Sequence, residues 1–82
     1  MVVYNFATAG GLGGGKGHAT VSVYDVTGRL VRTIADDLYD AGMQSVTWDG
    51  RDARGKQVSS GVYFIRANAG AEVNTKKVMI VR

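Results

Sequence analysis

The apolar residues of this chain alternate with polar ones at a period of two, and no stretch repeats them at the helical period. Val2, Tyr4 and Phe6 share one face of a strand over Val2–Thr8. Ala19, Val21 and Val23 form the apolar face of a second strand over 19–24, with Thr20 and Ser22 opposite. Arg29–Ile34 reads as a third strand, but Leu30, Val31 and Ile34 break the alternation, which predicts a bulge or a local twist. Met43–Asp49 is a fourth strand, with Val46 and Trp48 on its apolar face, and Val62–Ala69 is a dense β-forming fifth. Glu72–Val81 is the last, and Val58 and Ser59 suggest a short extra one. Asp25–Gly28, Asp52–Gly55 and Asn68–Ala71 are turn signals, and Ala35–Gly42 reads as a polar loop whose Leu38 and Tyr39 fold back over the core edge. Short strands separated by turn signals predict an all-β antiparallel sandwich. Its predicted core is Tyr4, Phe6, Val21, Val23, Val31, Ile34, Val46, Trp48, Tyr63, Ile65, Val78 and Ile80.

Eighty-two residues make a single domain, spanning 1–82, with a modest core. The chain has no cysteine, so no disulfide or cysteine-ligated zinc can staple it, and it has no proline. The net charge is +3, but the cations are interleaved with aspartates along the chain. A nucleic-acid binder clusters them on one face, so no nucleic-acid partner is expected. No apolar run approaches the ~18 residues of a membrane span, so no membrane insertion is expected. Met1–Ala9 lacks the basic and apolar regions of a signal peptide, and the chain reads as a piece of a longer protein.

Candidate chemistry is sparse. Six of the eight residues from Gly10 to Gly17 are glycine, which predicts a flexible connector. Gly10, Gly15 and Lys16 nearly match a phosphate-binding loop, but position 17 lacks the magnesium-holding hydroxyl and a strand follows where a helix is needed. His18 is the lone histidine and is expected to be an exposed turn residue. Asp49 and Asp52, or Asp36, Asp37 and Asp40, leave weak calcium binding open, but Asp49 and Asp52 lack the spacing of a calcium loop and are better explained by turn formation, and Asp36, Asp37 and Asp40 by a solvated loop. Tyr24, Tyr39 and Tyr63 would stack a sugar only if they formed an exposed row. The expectation is a domain without catalysis, metal or cofactor. Its open edges are another matter. Val2–Thr8, tethered by the glycine loop, is expected to pair with another chain or swap between copies.

A succession of motifs then carries a resemblance. Val23–Val31 with Asp25 and Gly28, Ala41-Gly42, Val46–Asp52 with Trp48, Asp49 and Gly50, then Gly55, Ser60–Phe64 with Gly61 and Tyr63, and Thr75-Lys76-Lys77 follow one another. From about Ala19 to Arg82 this resembles the FlgD-like immunoglobulin-like module and the related C-terminal sorting domains of type IX secretion cargo. The resemblance implies an immunoglobulin-like antiparallel β-sandwich of about six to seven strands in a large secreted bacterial protein. It also implies a protein partner, either secretion machinery or a neighbouring domain of the parent chain, and a secreted or cell-surface location. In the sorting type, the recognition strand would be Lys76, Lys77, Val78, Ile80 and Arg82. The first alternative is a structural module, as in a flagellar hook cap or as a spacer appended to an enzyme. The second is an accessory carbohydrate-binding module.

Overall fold

The computed structural model describes residues 1–70 and 72–82. Six antiparallel strands form two sheets: β1 (Val2–Thr8), β2 (Gly17–Asp25), β3 (Leu30–Tyr39), β4 (Gly42–Trp48), β5 (Gly61–Ala69) and β6 (Glu72–Ile80). A four-stranded sheet runs β3-β2-β5-β6, and the two strands β1 and β4 make the other. The inner faces enclose Tyr4, Phe6, Ala19, Val21, Val23, Trp48, Tyr63, Ile65 and Ala67. Val31, Ile34, Val46, Val78 and Ile80 pack against them half-buried, so every predicted core residue takes part. Period-two alternation is why: one apolar face per strand leaves the chain a single way to bury it.

The broken alternation after Gly28 is a pair of bulges. Between Val21↔Ala35 and Ser22↔Thr33, Ile34 has no direct partner, and between Val23↔Arg32 and Tyr24↔Leu30, neither has Val31. Each extra residue turns one more aliphatic side chain toward the core.

Three expectations are corrected. Ala35–Gly42 is not a loop: β3 continues to Tyr39, paired with β2 back to Gly17. Asp36 stays exposed beside His18, and Tyr39 meets the Phe6 ring edge-on at 5.6 Å, while Leu38 faces solvent. Ala35 and Tyr39 alternate inward, and this pattern outweighs the local polarity. His18 therefore lies in a strand, not a turn. Val58 and Ser59 form no strand; Val58 N–H donates to the Gly50 carbonyl inside a loop.

The glycine segment is a folded crossing. Gly13 and Gly14 turn the chain with φ of 71° and 83°, and Gly11 N–H donates to the Gly15 carbonyl at 2.7 Å. A side chain at position 17 would put its Cβ 2.5 Å from the Gly10 carbonyl oxygen, so here the glycine permits backbone to cross backbone. Of the turn expected at Asn68–Ala71, Ala71 lies outside the described residues.

Candidate functional site

The chain between β4 and β5, residues 49–60, is the longest connection and is held from below by two core aromatics. Trp48 is fully buried and its indole N–H donates to the Arg51 carbonyl at 2.9 Å. Tyr63 meets the Trp48 ring at 5.4 Å and its hydroxyl donates to the Ser59 carbonyl at 2.8 Å. Each ring thus buries its body and spends its polar tip on a loop carbonyl. From the side, Arg82 pins the same loop. Its Nε donates to the Val58 carbonyl at 2.7 Å, its Nη2 to the Gly50 carbonyl at 2.9 Å, and its backbone N–H to Ser60 Oγ at 3.0 Å.

Two turns at this end share one design. Asp25-Val26-Thr27-Gly28-Arg29 and Asp52-Ala53-Arg54-Gly55-Lys56 both follow Asp-x-x-Gly-cation. In the first, Asp25 Oδ1 accepts from the Thr27 and Arg29 amides and the Thr27 hydroxyl. In the second, Asp52 Oδ1 accepts from the Arg54 and Lys56 amides. Gly28 and Gly55 adopt φ of 84° and 81°, the left-handed geometry each turn needs. Asp49 Oδ1 likewise accepts from the Arg51 amide and also holds Arg32 at 3.1 Å. Asp49 and Asp52 thus bond turn amides as expected, whereas Asp36 and Asp37 lie in β3.

An open cleft of about 650 Å³ lies between the two turns, lined by Asp25, Arg29, Asp52, Arg54, Lys56 and Tyr63. Hydrogen bonds hold both carboxyls below the usual range, led by the Thr27 hydroxyl for Asp25 and the Lys56 amide for Asp52. A general acid needs the opposite shift, toward neutrality. No group of three or more histidine, aspartate or glutamate side chains able to hold a metal occurs among the described residues. The cleft is a seam between turns.

A pH effect follows. A carboxyl with a depressed folded pKa contributes stability above its unfolded pKa, about 3.9, and loses it as pH falls through the folded value. The melting temperature is expected to drop below pH ~4. The Asp25→Asn/Asp52→Asn double variant keeps an Oδ1 acceptor in each turn but cannot titrate, so its thermal melts should fall less across that window. Parallel curves for the two proteins would show that other groups carry the acid sensitivity.

The five residues of the expected recognition strand do not share a face. Lys76, Val78 and Ile80 lie opposite Ile65, Tyr63 and Gly61 on the core side of β6. Lys77 lies opposite Phe64 on the outer side, and Arg82 has left the strand for the loop. The signature residues Asp25, Gly28, Trp48, Asp49, Gly50, Gly61 and Tyr63 gather at the loop end, where Asp25, Trp48, Asp49 and Tyr63 make the hydrogen bonds described above. Alternation alone did not reveal the outer apolar row. Leu30, Tyr24 and Phe64 are direct cross-strand neighbours, with Val62 and Met79 adjoining. The tyrosines form no row: Tyr63 is buried, Tyr39 packs on Phe6, and Tyr24 lies under Arg66 at 5.7 Å.

With this geometry in view, the sequence pattern of the FlgD Ig-like domain matches residues 7–73. The chain belongs to the FlgD Ig-like domain family. No curated protein matches it. Among solved structures, it is similar to PorZ of Porphyromonas gingivalis, described as an essential bacterial surface component of the type-IX secretion system. The TM-score is 0.60 at 21% identity over 98% of this chain. This FlgD Ig-like domain covers only 11% of the PorZ chain, and at that identity the likeness speaks to the fold alone.

Proposed function

We propose that this domain is a non-catalytic docking module of a secreted bacterial protein, acting as a signal for sorting to, or attachment at, the cell surface. The observation that carries this reading is the exposure of β6. Its residues from Glu72 to Lys77 are all exposed, on both faces of the strand, although it is paired along its whole length with β5. A well-formed strand that buries so little is available to be read by another protein. Family membership and the likeness to a surface component of a secretion system support the same direction. The outer apolar row around Tyr24 and Phe64 favours a second reading, in which the module packs against a neighbouring domain as a structural spacer.

A transport assay separates them. The domain is fused behind an exported reporter in a host with type IX machinery and in a mutant lacking it. Deleting residues 76–82 would strip Val78, Ile80 and the Arg82 pin, so unfolding would confuse the result. The Lys76→Glu/Lys77→Glu variant changes only exposed positions. Sorting predicts surface delivery in the intact host alone, lost in the double variant. A folded reporter held in the periplasm of both hosts would overturn it in favour of the spacer.

A further inference from the structure

The two sheets are unequal, and the mismatch leaves a groove. β1 pairs only with β4, so its other edge is open. Beneath that edge, Ala67 and Ile65 of β5 are buried, while Asn74 and Lys76, directly opposite them on β6 and on the same core-side face, are exposed. The small sheet therefore stops short of β6. Among the described residues, one side-chain hydrogen bond crosses from β1 to β6, from the Tyr4 hydroxyl to the Asn74 carbonyl at 3.5 Å. The core-side face of β6 is a shelf, and the open edge of β1 is the wall above it.

We propose that this groove takes one extended segment of a partner protein. The segment adds to β1 as a third strand of the small sheet and lies over the shelf. Its inward side chains include a carboxylate facing Lys76 and an apolar residue two positions away facing Val78. This deepens the docking reading above by giving it a contact surface.

Three observations select that occupant. Val2–Thr8 contains no charge and no proline, the usual devices that keep an edge from pairing. Lys76 forms no salt bridge among the described residues, although it sits on the core side. Val78, next on the same face, packs against the core but is only half-buried. A second copy does not fit: two-fold pairing of β1 with itself would drive each copy's projecting β6 into the space under the other's β1. A β1 swapped between copies fills the place of the resident β1 and leaves the shelf open. Same-face side chains in paired strands recur every two residues, which fixes the spacing of the acidic and apolar positions.

The test uses the isotope-labelled 82-residue domain and a nine-residue synthetic peptide alternating threonine with valine, one central valine replaced by glutamate. A second peptide carries lysine at that position. Titration followed by NMR should move amide signals in Val2–Thr8 and Asn74–Val78. The glutamate peptide should bind about threefold more tightly than the lysine peptide, the size of an exposed ion pair. In the Lys76→Glu variant the preference should invert. Absence of binding, signals moving elsewhere, a preference unchanged in the variant, or a concentration-dependent dimer would each overturn the groove. Peptide binding with failed transport would sink the sorting reading and leave the groove standing. Transport without peptide binding would do the reverse.

Discussion

Trp48→Ala is expected to remove a large share of the domain's stability, about 3–5 kcal/mol. The side chain has no exposed surface, and truncating a buried Phe or Trp typically costs about 3–5 kcal/mol. A domain of 82 residues has a total stability of roughly 4–12 kcal/mol at ~0.05–0.15 kcal/mol per residue. The truncation also removes the donor to the Arg51 carbonyl and the edge partner of Tyr63, so the 49–60 loop loses its floor along with the core. Trp48→Phe separates the two losses. It keeps an aromatic body in the core but gives up the indole N–H, so it should fold with a stability lowered by about 1–3 kcal/mol. Urea denaturation followed by circular dichroism measures both variants. A Trp48→Ala protein with a midpoint near wild type would mean that the core does not depend on this ring.

Arg82→Ala is expected to loosen the 49–60 loop without unfolding the sandwich. Hydrogen bonds from a charged donor contribute up to about 1.5–3 kcal/mol each, but Arg82 is exposed and water competes for its partners, so about 1–2 kcal/mol in all is expected. The local readout is sharper. The Val58 amide, bonded to the same Gly50 carbonyl that Arg82 grips, should exchange with solvent about tenfold faster. Arg82→Lys keeps the charge but cannot fork to the Gly50 and Val58 carbonyls together, so it should resemble the alanine variant in exchange. If it exchanges like wild type, charge rather than geometry holds the loop.

Much of the fold could be read from alternation because burial in a sandwich depends on the parity of each position. The bulges were visible for the same reason: Val31 and Ile34, three residues apart, cannot both point inward in a regular strand. The extension of β3 through Asp36 and Asp37 was hidden: Asp36 lies on the solvated face, while Asp37 has the core-side parity, opposite Ala19, yet remains exposed, so two adjacent carboxylates resemble a loop. The ordered glycine crossing was hidden too. Glycine lowers local structure by entropy, but it is also the residue that lets two backbones touch, and only the contacts distinguish these roles. The Arg82 pin joins residues far apart in sequence, and no periodicity marks it. The groove over β6 comes from the relative widths of two sheets, which no single strand encodes.

The pairing of the first strand with the fourth also has a kinetic side. β2 with β3 and β5 with β6 are hairpins whose partners follow at once, whereas Val2 must wait for Trp48 and Thr8 for Gly42. Closing that long loop costs entropy before any contact repays it, so docking of the opening strand belongs late in folding. Until then an uncharged run bearing Val2, Val3, Tyr4 and Phe6 stands unpaired. A chaperone or translocation channel that holds the chain extended would meet this segment in its most adhesive form, and the moment of its release would decide whether it finds Met43–Trp48 of its own chain or the same strand of another.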